Sequence, residues 1–384
     1  MNATRETADL RRDSIIRTVE VIPLRIPFRT TYKFAAGARP AVEVVLVRLR
    51  SASGVTGVGE TQAWRRQGSS ETLPRLVGDI TEHFVPRLIG RSAFDLAAIM
   101  ATLDEALSHC LYAKAAVSDA LYDLQGRLLG LPVHDLLGGR CRDTLTACAV
   151  LPIKATVDAT VEHARAMHDR GFRSFTIKIG LDPRADFENV RAVRHALGDA
   201  ACLRVDANAG MGFDEALILL KRLEAFDLDA AEQPVALWDV DGLAELARRV
   251  TIPIMADESV ATTHDLIRVI RARAASVVQT KQAKNGGIHH VRQLWTLAAA
   301  AGMRIYPGNH PSSSIATAAV LHLAAAWPGP LMAGPFAFGI CGELAEDVVK
   351  TPLMQTGADI HVPSGPGLGV ELDEERVAAL RAAL

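Results

Sequence analysis

The chain has 384 residues, about half of them apolar and 22% charged, with a formal net charge of −2. That length accommodates two units, one of which can be a barrel of roughly 250 residues. The near-neutral charge offers no basic field to nucleic acid or an anionic membrane, and no apolar run reaches the roughly 20 residues needed to cross a bilayer.

Residues 1–14, MNATRETADLRRDS, are polar with no apolar stretch behind their charges. They read as a flexible leader, not as a secretory signal. The five cysteines (Cys110, Cys141, Cys148, Cys202 and Cys341) are odd in number, scattered and without a CxxC pair. That pattern fits reduced thiols in a cytoplasm and gives no zinc signature. Two stretches, 15–26 and 41–49, are rich in β-branched residues, and Gly54, Gly57 and Gly59 punctuate a turn and a third short strand. A helical region follows from about Glu71 to Leu129, with Gly130 and Pro132 as stop signals. Strands followed by a run of helices predict an α+β unit over 15–140.

From about Thr144 strands and helices alternate strictly. Eight strands are expected at TACAV, TIKI, LRVD, AAEQ, IMAD, VVQTK, RIYP and LMAG, with amphipathic helices between them. The pattern predicts an α/β fold, a modified (β/α)8 barrel, over residues 141–355. The tail, 356–384, reads as a strand, a Gly/Pro turn and a helix that returns to pack on the first unit.

Lys178, Asp206, Glu232, Asp257 and Lys281 follow one another at intervals of 28, 26, 25 and 24 residues. Each interval matches one β/α unit, so each side chain falls at the C-terminal end of a successive strand, where barrels carry their functional groups. The carboxylates come from three neighbouring strands and repel one another unless a cation lies among them. An all-oxygen set that leaves room for water and substrate suits Mg²⁺, with Mn²⁺ as a substitute. Strands two and six lie on opposite walls, so Lys178 and Lys281 face each other across whatever the ion holds. A carboxylate held there has its α-carbon between two amines, one to remove a proton and one to return it through an enediolate. Burial and the ion are expected to lower the lysine pKa values. Asn208 and Glu258 sit beside the ligand positions as supporting groups. Lys284, one turn beyond Lys281, reads as a structural or surface charge.

At these residues the chain resembles the enolase superfamily, in particular its muconate lactonizing enzyme subgroup. VDAN, EQP and ADES carry the three metal positions, TIK ends in the second lysine of the subgroup's KxK, and TKQAKNGG begins with the sixth-strand lysine. AKAAVSDALYDLQGRLLGLPVHDLLGG resembles the connector from capping domain to barrel, and PSGPGLGVELDEE the C-terminal return. The resemblance implies a capping α+β domain over a modified barrel, a Mg²⁺ site, a small carboxylate substrate and a homo-oligomer. Thr176 stands where the KxK pattern has its first lysine. Ser312 stands where muconate cycloisomerases usually carry a glutamate, and MAGPFAFG lacks the DxD of dipeptide epimerases. Asn309, His310 and Ser312 instead predict a neutral polar wall, with His310 a candidate acid or base. Tyr32, Phe34 and Trp64 are candidates for an apolar lid, and Arg65 or Arg66 for contact with a distal anion. Racemisation, epimerisation or cycloisomerisation is expected; the alternative is a lyase that expels a β-hydroxyl through the same intermediate.

Overall fold

The computed structural model describes residues 9–34, 37–63, 69–334 and 344–383, without the side chains of 30–39. Three antiparallel strands open the chain in the order β1 (Ile16–Phe34), β2 (Gly37–Ser51) and β3 (Thr56–Gln62). β2 is buried on both faces, Val44 and Leu46 on one and Val45, Val47 and Leu49 on the other. Of the expected leader, residues 9–13 form a helical turn, Arg11 pairs with Asp95, and Ser14 is buried against the Ser92 hydroxyl at 2.7 Å. Residues 1–8 lie outside the described residues.

The helix Leu111–Leu129 crosses the face of this sheet. Its approach is closest at β3, because a Cβ on Gly59 would stand 2.1 Å from the Ala116 carbonyl oxygen and one on Gly57 2.5 Å from Leu124. The helix is buried all round, not amphipathic: Lys114, Ser118, Asp119 and Asp123 are enclosed with its apolar residues. Its polar side chains therefore need partners inside the protein.

The TLTACAV segment divides into two strands. β4 (Thr144–Thr146) pairs antiparallel with Asp359–His361 from the tail, and β5 (Ala149–Leu151) begins the barrel sheet. β5 is followed by β6 (Ser174–Lys178), β7 (Cys202–Asp206), β8 (Ala230–Glu232), β9 (Ile254–Ala256), β10 (Val277–Lys281) and β11 (Arg304–Gly308). These seven strands are parallel neighbours in chain order, as successive right-handed β/α units require. The eighth expected strand, at LMAG, contributes one parallel bridge between Ile305 and Leu331. Helix starts are capped locally: Asp182 and Pro183 open Pro183–Leu197, and a Thr262/Asp265 capping box opens Thr263–Ala272.

Arg204 shows that the sheet curls round. From β7 it donates to Thr176 Oγ1 (3.1 Å) and Ser174 Oγ (2.8 Å) on β6 and to the Ala333 carbonyl (2.6 Å) in the eighth unit. Its guanidinium also lies 4.2 Å from the Tyr306 ring centroid on β11. A side chain on β7 meets β11, four strands away in the sheet, only when the sheet is rolled.

Candidate active site

Register places the key side chains along one rim. Lys178 pairs with Asp206 across β6 and β7, and Asp206 with Glu232 across β7 and β8. Asp257 follows β9 directly, and Lys281 ends β10 opposite Gly308. Glu232 thus stands at the centre of five consecutive strands, with an acid and then a lysine on each side. All three acids are essentially inaccessible to solvent.

Lys178 Nζ contacts Asp206 Oδ2 and donates to Asn208 Oδ1 at 2.9 Å. Lys281 Nζ contacts Asp257 Oδ2. Lys284, expected as a structural or surface charge, is buried in this cluster, which favours the structural reading over the surface one. It donates to Asp257 Oδ1 at 2.7 Å and to the Val260 carbonyl at 2.9 Å. Asn208, with left-handed backbone (φ 46°), donates from its amide to Asp206 at 3.1 Å and to Glu258 at 3.3 Å. The Gln279 amide, with its nitrogen facing Glu232, donates to both carboxylate oxygens, at 3.0 Å to Oε2.

Burial pushes the Glu232 carboxyl well above its ordinary value, and the charges of Asp206 and Asp257 push it further. Glu258 is raised to about 8, first by burial and then by Asp257. Burial opposes the Asp257 charge too, but the Lys281 and Lys284 ammoniums outweigh it and hold that carboxyl below the usual range. At Lys281 the balance runs towards the charged form. Burial disfavours its charge, yet Asp257, Glu232 and Glu258 more than compensate, and its pKa is raised.

Among the described residues, no three His, Cys, Asp or Glu side chains already stand grouped as a ligand shell. The donor set nonetheless fits a hard divalent cation. It is all oxygen, it comes from adjacent strand ends, and its acids stand near enough for Asp206 and Asp257 to raise Glu232.

Thr176 lies one layer beneath Lys178, buried against Arg204 and 3.3 Å from Cys148 Sγ, and so supports the floor. After β11, Asn309 and Ser312 are buried around the Thr317 hydroxyl, each at 3.4 Å. The His310 ring stacks on Tyr112 with centroids 5.9 Å apart. Burial holds His310 well below the ordinary histidine value, with Lys281 adding to the effect. Trp64, Arg65, Arg66 and the side chains of Tyr32 and Phe34 lie outside the described residues.

Lys284, Gln279, Arg204 and Tyr112 are the functional neighbours that sequence reasoning did not assign. Period-2 alternation offered a signal for two of them: Gln279 and Arg204 sit two residues before Lys281 and Asp206, on the same strand face. Nothing comparable pointed to Tyr112.

Family models match two segments: "Mandelate racemase / muconate lactonizing enzyme, N-terminal domain" over residues 15–138 and "Enolase C-terminal domain-like" over residues 159–376. Muconate cycloisomerase 1 of Rhodococcus opacus is 34% identical over 95% of this chain and 98% of its own length. L-Ala-D/L-Glu epimerase of Clostridium acetobutylicum is 30% identical over 93% and 99%. The muconate lactonizing enzyme of Pseudomonas fluorescens, solved with muconolactone, superposes with a TM-score of 0.92 at 34% identity, covering 96% of this chain and all of that one. An N-succinyl Arg/Lys racemase from Bacillus cereus gives 0.91 at 27% identity, covering 96% and 98%.

Proposed function

This chain belongs to the mandelate racemase/muconate lactonizing enzyme family of the enolase superfamily, and on that premise we propose that it removes a proton α to a carboxylate with the help of Mg²⁺. The product is a racemised, epimerised or cycloisomerised small acid. The observation that carries the proposal is the rim itself, with three buried acids at consecutive strand ends and an amine on each flank. The relatives named above are isomerases, which does not favour the lyase alternative.

Asp206, Glu232 and Asp257 are the residues that would hold the ion. Bound there, Mg²⁺ supplies the Lewis-acid charge that the enediolate requires. Asn208 and Gln279 keep the Asp206 and Glu232 carboxylates turned to the rim, as hydrogen-bonded neighbours of metal ligands do. Lys178 and Lys281 serve as base and acid from opposite walls, so a proton leaves one face of the α-carbon and returns to either. Asn309, His310 and Ser312 form a wall without fixed charge, suited to a hydroxyl, ether or amide of the substrate. We place the protein in the cytoplasm as a homo-oligomer. Among the described residues Cys110, Cys141, Cys148 and Cys202 are free thiols, and no described helix is long and apolar enough to cross a membrane.

The test is deuterium exchange in D₂O with Mg²⁺, screened over N-acylamino acids, dipeptides, proline derivatives, sugar acids, lactones and muconates. Exchange at the α-carbon without loss of water is expected, abolished by a chelator and by Lys178→Ala. Unchanged exchange in Lys178→Ala contradicts the base assignment, and release of water restores the lyase reading.

A further inference from the structure

The loop that follows Lys281 is gripped from the cap side by one buried carboxylate. Asp119, on the helix Leu111–Leu129, accepts the side-chain amide of Gln282 on one oxygen and the Ile288 backbone N–H, at 2.9 Å, on the other. Those partners are the two ends of the loop, and Ile288 lies in the first turn of the helix Gly287–Ala300, where a negative charge is favoured. Gln282 is held twice, because its amide also donates to the Glu60 backbone carbonyl on β3 at 3.2 Å. Between the ends the chain turns tightly. The Gly287 N–H returns to the Gln282 carbonyl at 2.8 Å, and the Asn285 side chain accepts the Lys281 N–H at 2.8 Å. A Cβ on Gly287 would lie 2.6 Å from Ser118 Cβ and 2.8 Å from Asp119 Oδ1, so the loop sits directly against the helix.

We infer that Asp119 is a positioning residue for Lys281: through Gln282, the next residue in the chain, it fixes where β10 ends and therefore where the Lys281 amine stands over Asp257. The inference rests on the proposed role of Lys281. A displacement on the order of 1 Å at a reacting group lowers turnover about 100-fold. A carboxylate that merely joined two units would affect stability and leave turnover of the folded enzyme untouched.

The experiment compares Asp119→Asn and Gln282→Leu with Ser118→Ala, which removes the Ser118 hydroxyl from the His289 N–H and from Asp119 but leaves the contacts of Asp119 to Gln282 and Ile288 in place. In protein labelled with [¹⁵N]lysine, the Lys281 Nζ signal is assigned by its loss in Lys281→Met. Asp119→Asn and Gln282→Leu are expected to shift that signal and speed its hydrogen exchange, while Ser118→Ala leaves it in place. On an acid that the exchange screen returns, kcat falls about 10- to 100-fold in the first two variants while KM stays within about threefold. Should Asp119→Asn fail to fold, Gln282→Leu removes the same contact from the barrel side. An unmoved Lys281 signal in Gln282→Leu overturns the inference. Failure of every acid to exchange with the parent enzyme would strike the proposed reaction and leave the spectroscopic result standing.

Discussion

Asp123 joins three segments in the interior, and replacing it with alanine gives a quantitative test of how the molecule is held together. Its carboxylate is fully enclosed and accepts three donors: Leu368 N–H at 2.7 Å, Val58 N–H at 2.8 Å and Arg127 Nε at 2.8 Å. Those donors come from the C-terminal tail, from β3 and from the helix itself, and Arg127 also donates to the Val370 carbonyl at 2.6 Å. In Asp123→Ala two buried backbone N–H groups lose their acceptors, at about 1–3 kcal/mol each, and Arg127 loses its counter-ion. Part of that cost is offset, because burial already disfavours the charged carboxylate and raises its pKa. The net loss is about 3–5 kcal/mol, in the range for removing one partner of a buried pair. Urea unfolding measures the total, and hydrogen exchange followed by mass spectrometry localises it. Peptides containing Val58 and Leu368 are expected to lose protection together. An unchanged urea midpoint, with both peptides as protected as in the parent, would refute the assignment of Asp123 as the shared acceptor.

Two further outcomes follow from the same interior. Burial raises Asp119 and Glu60 each to about 7, so the folded state binds more protons than the unfolded chain between about pH 4 and 7. Their stabilising contribution is complete below that window and is lost as pH rises through it, by as much as about 4 kcal/mol for Asp119 and about 3 kcal/mol for Glu60. The stability advantage of the parent over Asp119→Asn should therefore shrink from pH 5 to pH 8 in denaturant titrations, whereas parallel curves would contradict it. Gly59→Ala drives a methyl into the Ala116 carbonyl at 2.1 Å and should lower the free energy of unfolding in urea titrations by about 3 kcal/mol or more. A free energy of unfolding within about 0.5 kcal/mol of the parent's would mean that strand and helix separate more readily than their packing indicates.

The barrel and its charged rim were legible because both rest on periodicity. A charged residue every 24–28 positions, each at the end of an expected strand, marks successive strand ends without any knowledge of tertiary contacts. Lys284 escaped because one helical turn beyond Lys281 is an ambiguous place. Only the fold decides whether such a lysine meets water or, as here, the Asp257 carboxylate. The helix Leu111–Leu129 defeated a one-faced pattern for the opposite reason: sheet on one side and barrel loops on the other bury its polar residues as fully as its apolar ones. The division of TLTACAV into β4 and β5 was invisible because the partner of β4, Asp359–His361, lies more than 200 residues away.

Arg204 has a consequence for traffic. Its guanidinium, sandwiched between Tyr306 and the Thr176 hydroxyl and tied to Ala333, corks the cylinder one storey below the reacting groups. Among the described residues this enclosed cation fills the barrel interior beneath Asp206, so a reactant does not arrive through the layer that it occupies.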